Sequence, residues 1–388
     1  MSLFLITFFL LYGGMHLYAF LKAKVAFAFG TKISIYFIPF MLLMVVTPFI
    51  VRLSERSGLE FVARLMSYIG YTWMGVLLLF VSASFIIDIY RFLVYSSSFI
   101  FQRDLSPINP SVRFSFYAPL LLSVIISIYG YFEARNISTE RIMLRTYKIP
   151  EEIGRLRIVQ ISDIHLGLIV REERLKRILN EVKAANPDII VSTGDLVDGQ
   201  INSLSGLAEL LKEINPRYGK FAVTGNHEFY AGLPQALDFT ERAGFKVLRG
   251  EGITVAGLIN IAGIDDPAGQ HYGLFKEIPE KELLLSLPRE KFNLLLKHRP
   301  LLDKNVIGLF DLQLSGHAHK GQFFPFNLFT RLYYPIDAGQ LKLLNNSYLY
   351  VSRGAGTWGP PIRFLSPPEV TVIDLVHNIH LNISPTKS

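Results

Sequence analysis

LRIVQISDIHLG, residues Leu156–Gly167, decides how the second half of the chain reads. Its first seven residues make a strand-length run suited to burial. The run ends in a small residue, and two groups able to bind a cation, Asp163 and His165, follow. The same ending recurs four times. DIIVSTG (Asp188–Gly194) leads to Asp195, and Phe221–Thr224 leads to Asn226 and His227 in TGNHEFY. Phe292–Leu296 leads to His298 in LLKHRP, and Leu312–Ser315 leads to His317 and His319 in SGHAH. A further strand is expected at Ile259–Gly263. Between these runs the period changes to that of a helix: Leu175, Ile178, Leu179 and Val182 share one face of Arg171–Ala185, and Leu207, Leu210, Leu211 and Ile214 repeat the spacing. Strands alternating with amphipathic helices predict a layered α/β domain. In such domains ligands bind in the crevice outside the carboxyl ends of the strands, where residues distant in sequence meet.

Taken singly, each of these residues has an ordinary reading. An Asp or Asn after a strand forms turns or caps helices, and a lone buried His is usually a hydrogen-bonded core residue. Five strand ends carrying the same chemistry are a different matter. Imidazole, carboxylate and amide oxygen, in a chain without cysteine, suit Mn, Fe, Zn or Co and exclude a thiolate zinc cage. The candidate ligands exceed what one ion uses, and a carboxylate can bridge two ions ~3.5–4 Å apart. A glycine before a ligand lets the backbone turn sharply and aim the side chain inward. HEFYA, from His227, lacks the second His of a zinc-protease helix, since Ala231 stands in its place. Neither a phosphate-binding P-loop nor a GxSxG elbow follows any strand.

The 388 residues are half hydrophobic, and the excess sits in the first third. Four charge-free windows, Ser2–Leu21, Ile33–Val51, Tyr68–Ile87 and Phe114–Phe132, each approach the ~20 residues a bilayer requires. The expected organisation is a transmembrane helical region over 1–134, a polar linker over 135–150 and a catalytic domain over 151–388. An even number of spans puts the N-terminus and that domain on one side. Arg52, Arg56, Arg64, Arg135, Arg141, Arg145 and Lys148 flank that side, against Lys22, Lys24, Lys32, Arg91, Arg103 and Arg113 on the other, which favours a cytoplasmic domain by seven to six. The net charge is +7, and before Arg135 nine Lys or Arg stand against five Asp or Glu, so four of the seven excess charges flank the spans. There they fit lipid headgroups, and no nucleic-acid partner is expected. Asp88 and Arg91, near the end of the third window, read as interfacial. The residues set no oligomeric state.

With DxH, GD, GNH, H and GHxH in that order over Leu156–Leu375, the chain resembles the calcineurin-like metallophosphoesterases, in particular the bacterial membrane-associated branch of YkuE and YaeI type and, more distantly, UDP-2,3-diacylglucosamine hydrolases. The resemblance implies a four-layer α/β/β/α sandwich; the region of about four apolar spans that precedes it is not part of the shared domain. It implies one metal on Asp163, His165 and His319, a second on Asn226, His298 and His317, and Asp195 bridging them. Both would be divalent, Mn, Fe or Zn, with Mn favoured. His227 would face the substrate phosphate and protonate the leaving oxygen, and Glu228 is a candidate to orient that ring. Metals so placed lower the pKa of a bound water from about 15.7 toward ~7 for in-line attack on phosphorus. In SRGAGTWGPPIRFLSPPEV, Arg353 and Arg363 are candidate phosphate contacts, while Asp265 and Asp266 read as turn residues.

The implied function is a phosphodiesterase or pyrophosphohydrolase in a bacterial inner (plasma) membrane. A lipid-linked phosphate is its expected substrate and the lipid bilayer its partner. The alternatives are the same hydrolysis on a soluble nucleotide or phosphomonoester, with the spans only an anchor, and a metal-binding membrane sensor without catalysis. Phe323, Phe324, Phe326, Phe329, Tyr333 and Tyr334 follow the last metal motif directly. They read either as core of a second sheet or as an apolar lip accepting an acyl or prenyl tail.

Overall fold

Four long apolar helices open the chain in the computed structural model, which describes residues 3–199, 204, 206–334 and 336–378. They are α1 (Leu3–Phe27), α2 (Thr31–Arg56), α3 (Glu60–Phe101) and α4 (Phe114–Glu133), each long and apolar enough to cross a bilayer. Ser2, where the first apolar window begins, and residues 379–388 lie outside the described residues. At 1.5 Å per residue α3 is about 63 Å long, roughly twice a ~30 Å hydrocarbon core. The helices are held by close approach and by a few polar pairs. Gly70 faces Thr47, where an added Cβ would come within 2.1 Å of the Thr47 methyl. Asp88 of α3 accepts from Tyr18 at 2.5 Å and pairs with Lys22, both on α1. Trp73 of α3 donates to His16 of α1 at 2.8 Å. Arg91 donates to Asn109 at 3.3 Å.

The chain divides into two compact units, and the first contains these helices plus a distant segment, Trp358–Phe364. Pro360 and Ile362 of that segment meet Gly75 of α3, the Arg363 amide donates to the Gly130 carbonyl of α4 at 2.9 Å, and Phe364 lies edge-on to Tyr129.

The second unit holds the remaining residues in two six-stranded sheets. In chain order its elements are β1 (Ser138–Thr146), β2 (Arg155–Ile161), α5 (Glu172–Ala185), β3 (Ile189–Ser192), α6 (Leu207–Lys212), β4 (Lys220–Ala222), α7 (Asn226–Ala231), α8 (Leu233–Arg242) and β5 (Lys246–Val247). They continue with β6 (Glu251–Val255), β7 (Ile259–Ile264), α9 (Glu280–Leu285), β8 (Phe292–Lys297), β9 (Leu312–Ser315), α10 (Asn327–Tyr333), β10 (Gly339–Lys342), β11 (Tyr348–Val351) and β12 (Glu369–His377). One sheet runs β1-β12-β2-β3-β4-β5, the other β10-β11-β9-β8-β7-β6.

Side-chain alternation produces the layers. Ile158, Ile189 and Val191 face inward and pack with Ile261, Leu294, Leu296 and Leu314 of the other sheet. Their neighbours Val159 and Ile190 face outward, against Leu175, Ile178 and Val182 of α5, Leu211 of α6 and Phe239 of α8. On the far side Ala262, Ile264 and Leu295 meet Leu283 and Leu284 of α9. Strands buried on both faces read as continuous apolar runs, which is why their sequence shows no polar alternation. The result is the α/β/β/α sandwich.

The linker expected over 135–150 is mostly strand. β1 pairs in parallel with β12 from Ser138 to Thr146 at the edge of the first sheet, and only Leu144 within it is buried. Glu140, Arg141 and Arg145 dilute its apolar pattern, as charges on an edge strand do.

Candidate metal centre

Strand direction brings the predicted ligands together. β2, β3 and β4 are parallel neighbours in one sheet, and β8 and β9 are parallel neighbours in the other. The residues just beyond their carboxyl ends are Asp163 and His165, Asp195, Asn226 and His227, His298, and His317 and His319.

Three groups of Asp and His form, in each of which the ligand atoms lie within 4.8 Å of one another: Asp163, His165 and His319; Asp195, His298 and His317; and His165, Asp195 and His227, which shares a residue with each of the others. In the first, His319 Nε2 is 3.3 Å from Asp163 Oδ1 and 3.1 Å from His165 Nε2. In the second, His298 Nε2 is 3.2 Å from Asp195 Oδ2, 3.3 Å from Asn226 Oδ1 and 3.1 Å from His317 Nδ1. Asp195 also stands 3.8 Å from His165, so it touches both clusters. Ring nitrogens and carboxylate oxygens that converge this closely, buried and without a thiolate, fit a pair of divalent cations.

The surroundings fix these groups in ligand form. His298 Nδ1 donates to the Thr193 carbonyl at 2.8 Å, which aims its Nε2 inward. The Asp163 carboxylate accepts the His317 amide and the Ser162 hydroxyl. Asp195 Oδ1 accepts the His227 amide at 2.8 Å. Burial lowers His165 and His317 to about 3, helped by charge on His227 and His298 respectively, so both rings are neutral. Burial works to raise Asp163 and Asp195, but the adjacent imidazoles of His319 and His298 outweigh it and hold both carboxylates below their usual range. His298 is the exception: burial opposes charge on it, but Asp195 overcomes that and raises the ring to about 10, so a cation binding at Nε2 must displace a proton.

The backbone is under strain here. Asp163, His165, Asp195, His317 and His319 all adopt positive φ, between 48° and 68°, a region non-glycine residues seldom visit. Such conformations persist where the surroundings over-determine them. Gly316 shows how close the packing is: an added Cβ would lie 2.0 Å from the Ser162 hydroxyl and 2.2 Å from Asp163 Oδ2. Gly316→Ala is therefore expected to displace Asp163 and weaken manganese binding roughly 10–100-fold, the usual scale for disturbing a ligand's support. Titration of the metal-free protein with Mn²⁺ measures it, and unchanged affinity would show that the loop adapts.

Sequence reasoning missed one partner and misassigned another. His227 Nδ1 bonds Asp198 Oδ1 at 2.7 Å, so Asp198 orients the ring. Burial disfavours charge on His227, but Asp195 and Asp198 raise it to about 9, an imidazolium at neutral pH. Glu228, expected to orient that ring, instead accepts the backbone amides of Gly225, Asp195 and Leu196 at 2.7–3.0 Å. It ties the loop after β3 to the start of α7. The fourth residue of TGDLVDG from Asp195 was the available signal for Asp198.

Arg353 is held by Glu369 and Glu140 and donates to the Pro367 carbonyl. Arg363, whose segment belongs to the helical unit, is fully buried. Asp265 accepts Arg249 and Thr224, and Asp266 accepts Arg299 and caps the following turn, in keeping with turn roles. Of the aromatic residues after His319, Phe323 is buried, whereas Phe329 is 62%, Tyr333 69% and Leu332 86% exposed, and α10 buries no residue. They form a surface shelf and not a second-sheet core. The shelf adjoins the centre, since the Tyr334 ring lies 5.8 Å from that of His317.

Comparison with known proteins agrees with this geometry. The calcineurin-like phosphoesterase family model matches residues 156–321. An uncharacterized metallophosphoesterase of Aquifex aeolicus is 40% identical over 257 residues, 66% of this chain and 98% of the relative. Another, Cj0846 of Campylobacter jejuni, is 31% identical over 318 residues, 79% of this chain and 83% of the relative. A zebrafish (Danio rerio) transmembrane protein with metallophosphoesterase domain is 32% identical over 272 residues, 66% of this chain and 61% of that protein.

Proposed function

Because the chain belongs to the calcineurin-like metallophosphoesterase family, whose members hydrolyse phosphoesters, we propose that it is a dinuclear phosphodiesterase or pyrophosphohydrolase acting on a lipid-linked phosphate, such as an acylated UDP-glucosamine precursor of lipid A. In this reading it sits in a bacterial plasma membrane with the catalytic domain in the cytoplasm, and manganese is the preferred metal.

The observation that carries the hydrolase reading is Asp195 in contact with both ligand clusters. Asp163, His165 and His319 would hold one metal and Asn226, His298 and His317 the other, with Asp195 available to both. Bound there, two divalent ions supply Lewis acidity for the phosphoryl oxygens and a water nucleophile of lowered pKa. His227 is the proton donor to the leaving oxygen. Asp198 engages Nδ1, so donation falls to Nε2. Glu228 keeps the loop bearing Asp195 in register with Asn226 and His227.

Two observations support a lipid substrate. Four helices are long and apolar enough to span a bilayer, and the α10 shelf leaves Phe326, Leu328, Phe329, Leu332 and Tyr333 exposed beside His317 and Tyr334. Each methylene buried against that shelf contributes about 0.8 kcal/mol, so two are worth roughly tenfold. A long-chain lipid phosphodiester should therefore exceed its short-chain analogue in kcat/KM by at least about tenfold. Phe329→Ser with Leu332→Ser should narrow the gap. Equal values for the two substrates in the wild type end the lipid reading and favour a soluble phosphoester, with hydrolysis itself intact.

A further inference from the structure

We propose that the chain from Gly354 to Ser366 is a strap through which the membrane helices position the metal ligands, so that the spans tune the centre besides anchoring it. The inference rests on the ligand assignment above. Both ends of the strap engage ligand backbone inside the second unit. The Ala355 amide donates to the Ser162 carbonyl and the Gly356 amide to the Asp163 carbonyl, each at 2.9 Å. Thr357 accepts Arg174 of α5 at 3.0 Å, and the Ser366 hydroxyl donates to the His319 carbonyl at 2.6 Å. Gly356 lies so near that an added Cβ would stand 1.9 Å from the Ile164 carbonyl oxygen.

The middle of the strap, Trp358–Phe364, belongs to the helical unit. There Ile362 and Pro360 face Gly75, and the Arg363 amide bonds the Gly130 carbonyl. Glycine at position 130 allows that approach, since a Cβ would meet the Arg363 carbonyl oxygen at 2.8 Å. The contacts named above each lie within one unit, and the peptide bonds 357 to 358 and 364 to 365 join the two sets.

The strain at the ligands gives the strap its leverage. The carbonyls it holds are those of Asp163 and His319, both at positive φ, and left-handed non-glycine residues relax unless external bonds fix them. Loosening Gly356 and Ser366 removes part of that constraint from one first-cluster ligand on each side. The strap residues are thus positioning residues, acting through Asp163 and His319.

The test is amide hydrogen exchange on the metal-free full chain in phosphatidylethanolamine–phosphatidylglycerol nanodiscs, read in peptides covering 162–167 and 317–322. Gly130→Leu should speed exchange in both peptides by about tenfold, the mark of a local opening, and weaken Mn²⁺ binding in parallel. Ile362→Ala withdraws the strap's own contact with Gly75 without altering a span and should act in the same direction. Gly13→Leu, at a position with nothing within 4 Å of an added Cβ, is the control and should leave both peptides unchanged. Unchanged exchange in Gly130→Leu and Ile362→Ala overturns the proposal, as does an equal rise in Gly13→Leu. Because exchange is read without metal or substrate, failure of the ligand assignment would show separately, as absence of Mn²⁺ binding by the wild type, and failure of the hydrolase reading as Mn²⁺ binding without phosphodiester turnover.

Discussion

Asp195→Asn is expected to cut turnover by two to four orders of magnitude and to reduce the bound metal from two ions to one or none. The substitution keeps the volume and one acceptor oxygen. It replaces the other oxygen with an amino group and removes the charge. In the native protein both oxygens are committed: Oδ1 accepts the His227 amide, while Oδ2 lies 3.2 Å from His298 and 3.8 Å from His165. Whichever way the amide turns, an N–H donor either faces the cations or opposes the His227 N–H. The buried imidazoles then lose the carboxylate that balances them, and removing one partner of a buried charged set costs about 3–5 kcal/mol. That is the source of the expected two to four decades. Elemental analysis of the purified variant, with kcat/KM on a phosphodiester, measures both effects. A variant that keeps two metals and native turnover would remove Asp195 from the bridging position, and with it the dinuclear assignment.

How much of this was legible depended on which interactions a residue's neighbours in sequence reveal. The buried strands β2, β3, β8 and β9 were readable because they are apolar on both faces, and their ends carried the cation-binding residues. β1 was not, because an edge strand needs few apolar residues and Glu140, Arg141 and Arg145 made it look like a linker. The aromatic run after His319 could be core or surface from composition alone. Deciding between them required knowing that α10 leaves its large apolar side chains exposed.

Supporting contacts were harder to read than ligands. Asp198 and Glu228 are both acidic and both close in sequence to a ligand, so either could have oriented His227. The choice depends on loop geometry: Glu228 lies at the start of α7 within reach of three unbonded amides, which leaves the imidazole to Asp198. The segment 354–366 is a more extreme case. Nothing in GAGTWGPPIRFLS announces that its ends hold ligand carbonyls while its middle packs with Gly75 and Gly130, more than two hundred residues earlier. Such pairings depend on tertiary proximity and leave no periodicity to read.

His227→Ala should lower kcat by about 10²–10⁴-fold, the range for losing a positioned proton donor, while both metals stay bound. The argument turns on which atoms of the residue do which work. Its backbone amide holds Asp195 Oδ1, and alanine retains that amide, so the bridging carboxylate keeps its support. What is lost is the ring, whose Nδ1 is engaged by Asp198 and whose Nε2 would donate to the leaving oxygen. Asp198→Asn tests the same pair from the other side. The amide preserves an acceptor for Nδ1–H but removes a negative charge that favours the imidazolium, so its loss of kcat should be smaller than that of His227→Ala, with KM little changed in both. Substrates with good leaving groups, such as a nitrophenyl phosphodiester, need less proton donation and should narrow the deficit of both variants. The rival is that His227 is itself a ligand, since its ring groups with His165 and Asp195 within ligand-to-ligand distance. In that case His227→Ala would shed metal in proportion to its lost activity, and the good leaving group would rescue nothing.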